Sequence, residues 1–196
     1  MRRLIRGLFV KKNCLFLAFL IFVPFAFAAP PPMSQVKETI EKLKTETRRE
    51  AIRQIILERM DFEEMAKRSL GMHWRAISEA EQKEFVKVFS RFVEVFYRSN
   101  VLNSLQHIGK VEINYFKERI DGDFAEVEVK IKTPQDEFQM LYKLRLSSEK
   151  WKAYDIVVEG VSIVSSYRSQ FDRIIRKYDF AALMERLREK TKELDT

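Results

Sequence analysis

Apolar residues recur along this chain with a helical period, then with a strand period, then with a helical period again. Between Ser34 and Met60 the positions Val36, Ile40, Leu43, Ala51, Ile52, Ile55 and Ile56 keep helical spacing, while the polar stretch 44–50 predicts either one bent helix or two short ones. Asp61 is placed to cap a helix that carries Phe62, Met65 and Leu70 and ends at Gly71. Ser78 with Glu81 three residues on makes a capping box. The helix it opens sets Phe85, Phe89, Phe92 and Phe96 on one stripe, with Lys83, Lys87, Arg91, Glu94 and Arg98 on the other side. Val86, Val88, Val93 and Val95 widen the apolar face, so this helix is expected to be buried over much of its circumference.

The period then falls to two. Ala125, Val127, Val129 and Ile131 alternate with Glu126, Glu128, Lys130 and Lys132, and Phe138, Met140, Tyr142, Leu144 and Leu146 alternate mainly with polar residues. Asp121-Gly122 signals a hairpin after a first strand near 111–119, and turns around Pro134 and Ser148-Glu149 separate the rest. A last strand holds Ile156, Val157 and Val158, breaks at Gly160, and leads to a helix near 165–177 with a Ser165 or Ser166 cap; Asp179 caps another over 180–192. These elements predict an α+β domain: a four-stranded antiparallel sheet with several helices packed over one face.

Charge changes the picture only once the N-terminus is set apart. Arg2, Arg3, Arg6, Lys11 and Lys12 precede an uncharged run closing in Ala26-Phe27-Ala28, the pattern of an export signal cleaved after residue 28. The expected mature domain, 29–196, is a single unit of 168 residues behind Pro30-Pro31-Pro32. The leader takes five of the 36 Lys and Arg and none of the 29 Asp and Glu, leaving 31 against 29, a net of +2. That near balance removes the case for a nucleic-acid partner. Cys14, the single cysteine, lies in the leader, so the mature chain has no thiol for disulfides, metal or catalysis.

Reactive chemistry is sparse. His73 and His107 have no metal-ligand spacing to a carboxylate, so no metal is expected. Gly160-Val161-Ser162 begins like a nucleophile elbow but lacks the second glycine and follows a meander, which makes Ser162 a turn residue. Asp155 and Glu159 share one face of a regular strand and read as a solvated pair. Taken alone, the phenylalanine stripe facing a sheet reads as core packing.

Two blocks resemble a known family. Trp151-Lys152-x-Tyr154-Asp155-Ile156-x-Val158-Glu159-Gly160-Val161-Ser162-Ile163-Val164, followed by Tyr167-Arg168-x-Gln170-Phe171, is similar to the C-terminal signature of the MlaC (toluene-tolerance) family of periplasmic phospholipid-binding proteins. Leu70-Gly71-x-x-Trp74-Arg75-x-x-Ser78-x-x-Glu81-x-x-x-Phe85-x-x-x-Phe89 resembles the family's other block, and the likeness spans about 35–190. The resemblance implies a periplasmic carrier without bond chemistry or cofactor. Its partners would be an inner-membrane ABC lipid transporter complex, for which it is the substrate-binding component, and an outer-membrane lipoprotein complex, in a system that maintains outer-membrane lipid asymmetry. It also implies that the helix and sheet stand apart around a lipid cavity.

Two acyl chains of about 30 carbons, at ~0.8 kcal/mol per methylene, would cost more than roughly 20 kcal/mol to expose, so the cavity should reach on the order of 900 Å³. On that reading the lipid is lined by Met65, Leu70 and Trp74, by Phe85, Phe89, Phe92 and Phe96, and by Val127, Val129, Met140 and Tyr142. Ile156, Val158, Val161, Val164, Tyr167 and Phe171 complete the lining. Tyr167, amphipathic, and Arg168, able to pair with phosphate, are expected at the mouth, although Arg168 could equally pair with Asp172 four residues on. A protein-binding adaptor with a filled core, docking through the Phe-rich helix or the Trp74 region, is the alternative, and an acyl hydrolase is a third reading.

Overall fold

The computed structural model describes residues 29–105, 111–134 and 136–195. The expected leader, 1–28, and His107 lie outside the described residues. The helices are α1 (Pro32–Thr45), α2 (Arg49–Arg59), α3 (Phe62–Leu70), α4 (Glu79–Leu105), α5 (Ile163–Lys177) and α6 (Phe180–Asp195), with a 3-10 helix over Gly71–Ala76. The strands β1 (Glu112–Asp121), β2 (Phe124–Lys132), β3 (Glu137–Ser147), β4 (Lys150–Val158) and β5 (Val161–Ser162) form one antiparallel sheet in chain order. The fold is α+β, with five strands instead of four: the residues after Gly160 pair back onto β4 before the helix begins.

Caps and turns account for most boundaries. The Asp61 carboxylate accepts from the Glu64 amide at 3.1 Å, and Asp179 from the Ala182 amide at 2.7 Å. Ser78 and Glu81 close the capping box from both sides: the Ser78 amide donates to Glu81 at 2.8 Å and the Glu81 amide to Ser78 Oγ at 3.3 Å. The 44–50 stretch resolves into two helices, because the backbone is extended at Glu46 and Arg48. Ser148 and Glu149 both take positive φ, 50° and 60°, the pairing of a tight hairpin turn with right-handed twist.

Three expectations about faces change. α5 begins at Ile163, capped by Ser162 Oγ, which accepts from the Ser165 amide at 2.9 Å; Ser166 instead bonds back to the Ser162 carbonyl inside the helix. Asp155 is buried rather than solvated. Tyr154 is an extra residue in β4, since Ala153 pairs with Leu144 and Asp155 with Lys143. The Asp155 carboxylate, 5% exposed, accepts from Ser162 Oγ at 2.6 Å and from the Val164 amide at 3.1 Å, tying the sheet to the start of α5. Glu159 sits in the turn at φ 48° and accepts from the Gln139 amide.

Part of the charged side of α4 is also covered, although Lys83, Lys87 and Arg91 are exposed. Glu94 and Arg98 are 1% and 3% exposed and are bonded to each other at 2.7 Å. Asp195 at the end of α6 joins them through Arg98 at 2.6 Å and Arg91 at 2.5 Å, so this flank of α4 is an ion network.

Candidate binding cleft

One cleft in the molecule has an almost wholly apolar wall. α1 contributes Val36, Ile40 and Leu43; α2 and the residue after it contribute Ile55, Ile56 and Met60; β3 contributes Met140, Tyr142 and Leu144; β4 contributes Trp151, Ala153 and Ile156; and Tyr97 closes it from α4. Its volume is about 210 Å³ measured as room for the centre of a water-sized sphere, and about 850 Å³ of non-atom space if the open solvent at its entrance is included. The larger figure approaches the room two acyl chains need only by counting that entrance.

α1 is tied to the sheet at its N-terminal half, and the cleft opens along the rest of it. The Gln35 side chain brackets the main chain of Trp151, its amide group donating to the carbonyl at 2.6 Å and its oxygen accepting from the Trp151 amide at 3.2 Å. The Trp151 indole N–H donates to the Pro30 carbonyl at 3.0 Å, and the Met33 amide donates to Glu118. On the far side of the cleft the Asp61 amide donates to the Ala153 carbonyl at 2.8 Å, which fixes the junction of α2 and α3 to β4. The remainder of α1 thus spans a space it does not fill.

Polar groups in this wall are nearly all spent. Gln35 is committed to Trp151, and Thr39 Oγ donates to the Gln35 carbonyl of its own helix at 2.7 Å. Tyr142 Oη reaches only the Met140 sulfur, at 3.9 Å, and Tyr97 Oη is buried without a partner. Burial pushes both phenols above their ordinary range, so they stay neutral across physiological pH. Among the described residues Arg59 is the charged member of the wall. Such a surface suits a ligand that presents hydrocarbon and asks for no directed hydrogen bonds.

The profile of the MlaC protein family matches residues 33–189 of this chain. The chain belongs to the MlaC family. It is 24% identical over 168 residues to the intermembrane phospholipid transport system binding protein MlaC of Haemophilus influenzae, an alignment covering 83% of this chain and 78% of that one. Its fold is similar to the solved structure of a phospholipid-binding protein from Ralstonia solanacearum in complex with a phospholipid. The TM-score is 0.70 at 19% identity, covering 85% of this chain and 100% of the other, and at that identity the likeness concerns the fold.

Within this MlaC-family fold the residues expected to line a lipid divide sharply. Met140, Tyr142 and Ile156 stand in the cleft wall. Phe85, Phe89 and Phe92 pack against rings of α5 and α6. Phe85 and Phe89 stack at 5.5 Å, Phe171 meets them edge-on at 6.0 and 5.8 Å, and Tyr167 meets Phe92 at 5.7 Å, with Phe96 at the end of the row. Phe85, Phe89, Phe92 and Phe171 of this cluster are buried in the core, while Phe96 is half-buried. Met65, Leu70, Val127, Val129 and Val164 are buried in the same continuous core. Val158 pairs with Met140 on β3, and Val161 is 61% exposed on β5.

Trp74 borders a separate surface groove with Lys67, Arg68 and Met72. Arg168 lies beside that groove, away from the cleft wall: its Nε donates to the Arg68 carbonyl at 2.8 Å and its stem lies against Gly71, where a Cβ would come within 3.1 Å. Nor does it pair with Asp172, whose carboxylate takes Arg176 and His73, each at 2.8 Å. Val36, Ile40, Leu43, Ile55, Ile56 and Leu144 are visible in the sequence as apolar positions but not as lining.

Proposed function

We propose that this protein is a carrier that takes up a phospholipid by its acyl chains in the cleft between α1, α2 and the sheet, and moves it between membranes. The observation that carries this reading is the dry wall: three helices and two strands present apolar side chains to an open space whose neutral polar groups are nearly all committed within the wall, with Arg59 as its charged member. Hydrocarbon is the ligand class that gains most from such a surface, at ~0.8 kcal/mol per methylene withdrawn from water. A dry pocket also selects by length and volume, so many lipids with similar chains would be accepted.

Membership in a family whose Haemophilus relative is named as an intermembrane phospholipid transport binding protein supports the same reading. The leader pattern over 1–28 supports export to the periplasm as the single domain 29–196. The partners would then be an inner-membrane ABC lipid transporter complex and an outer-membrane lipoprotein complex, in a system that keeps the outer membrane asymmetric. The carrier itself performs no bond chemistry and takes no cofactor.

The test is organic extraction and mass spectrometry of the full chain expressed with its leader and purified from the periplasm. Diacyl phospholipid in stoichiometric amount is expected. Folded protein free of lipid would favour the protein-binding adaptor, and recovery of lysolipid or free fatty acid in place of diacyl lipid would favour a hydrolase.

A further inference from the structure

Arg59 ends α2 with its side chain 14% exposed, its stem along the apolar wall and its head toward Glu38 of α1. Long basic side chains commonly cover apolar surface with the stem while the charge reaches water. The contact with Glu38 is loose: Arg59 Nη2 stands 3.6 Å from Glu38 Oε1, beyond hydrogen-bond reach. Glu38 has a nearer partner in Lys42, at 2.6 Å, and both of those side chains are about half exposed, at 51% and 50%. The Arg59–Glu38 contact therefore marks the rim where the cleft meets solvent, and Glu38 remains paired when Arg59 turns away. Gln35 and Thr39, the neutral polar residues nearby, are committed elsewhere.

A lipid whose chains fill the cleft must bring its phosphate to that rim. We propose that Arg59 binds the phosphate of the bound lipid, giving up its loose contact with Glu38 for charge-assisted hydrogen bonds to phosphate oxygens; this rests on the carrier reading above. The planar guanidinium matches a phosphate with two parallel donors, which an ammonium does not. Arg168 cannot take this part, since its Nε is bonded to the Arg68 carbonyl beside a different groove. The consequence is a head-group discrimination of a particular kind: phosphate is required, while whatever is esterified beyond it stays in solvent and is not read.

The experiment is displacement of a fluorescent acyl probe from the purified, delipidated full chain by three competitors: phosphatidylglycerol, diacylglycerol with the same chains, and inorganic phosphate. The wild type is expected to hold phosphatidylglycerol about tenfold more tightly than diacylglycerol, the size of one well-made charged contact. Arg59→Gln should bring that ratio close to one by weakening the phospholipid alone, and Arg59→Lys should restore part of it. Glu38→Gln removes the competing carboxylate at an exposed site without loss of a buried group, and should strengthen phospholipid binding.

An unchanged ratio in Arg59→Gln overturns the proposal. Should that variant fail to fold, absence of any gain in Glu38→Gln overturns it instead. Displacement of the probe by millimolar inorganic phosphate as effective as by lipid would mean a free-anion site and also overturn it. Diacylglycerol and phosphatidylglycerol bound equally by the wild type would sink the role of Arg59 and leave the carrier reading standing, whereas failure of both to bind would remove the two together.

Discussion

Ala153→Leu separates an open cleft from a filled core, because the two predict opposite signs. Ala153 lies on β4 opposite Leu144, is 6% exposed, and borders the cleft. Leucine adds three carbons at that point without touching the backbone bond from Asp61 to the Ala153 carbonyl. If the space is empty in the lipid-free protein, those carbons enter it with little strain and bury apolar area, so the melting point should hold or rise. The same carbons exclude about three methylenes of a bound chain, a loss of about 2.4 kcal/mol at ~0.8 kcal/mol each, or roughly fiftyfold in affinity. Val127→Leu is the matched control. Val127 is fully buried in closed core, so a longer side chain there should cost about 1–3 kcal/mol in stability and leave the affinity of the folded fraction unchanged. Urea unfolding of the delipidated proteins gives the first quantity and displacement titration of an acyl probe the second. A result in which Ala153→Leu destabilises as much as Val127→Leu and binds lipid normally would mean that α1 packs solidly on the sheet and that the ligand lies elsewhere.

Asp155→Ala should destabilise the domain by about 2–4 kcal/mol, since it leaves Ser162 Oγ and the Val164 amide without their acceptor at the start of α5. A shift in urea midpoint worth less than about 1 kcal/mol would count against that tie between sheet and helix. The hydrogen bond from Arg98, with Arg91 beside it, holds the Asp195 carboxyl below its ordinary value of 3.8. A carboxyl depressed in the folded state adds stability above its unfolded pKa and loses it as pH falls through the folded one. Wild type should therefore outlast Asp195→Asn in urea at pH 6, with the gap closing at pH 3; a gap of equal size at both would refute the pairing as its source.

Boundaries were legible wherever one side chain answers one backbone group, as at Asp61, Ser78 with Glu81, and Asp179. They failed where the answering groups came from different elements. Nothing in the run around Tyr154 marks it as an extra strand residue, and that insertion is bound up with the burial of Asp155 under α5. The helical period likewise reports that a face is apolar, not what stands opposite it. Phe85 and Phe89 carry the same signal as Ile40 and Leu43, yet the two phenylalanines meet rings from α5 and α6 while Ile40 and Leu43 face β3 and β4 across open space. A cleft is a distance between walls, and its walls here come from residues 35–60, 97 and 140–156, which no local window brings together. Trp151 shows how a residue can be prominent in the sequence without doing chemistry. Its indole bonds to the Pro30 carbonyl, its main chain is bracketed by Gln35, and its ring stands in the wall between α1 and the sheet. It fixes where α1 starts, and hence where the gap opens beyond it. On that argument the tryptophan marks the cleft by holding its frame, so replacing it should loosen α1 before it removes any contact with lipid.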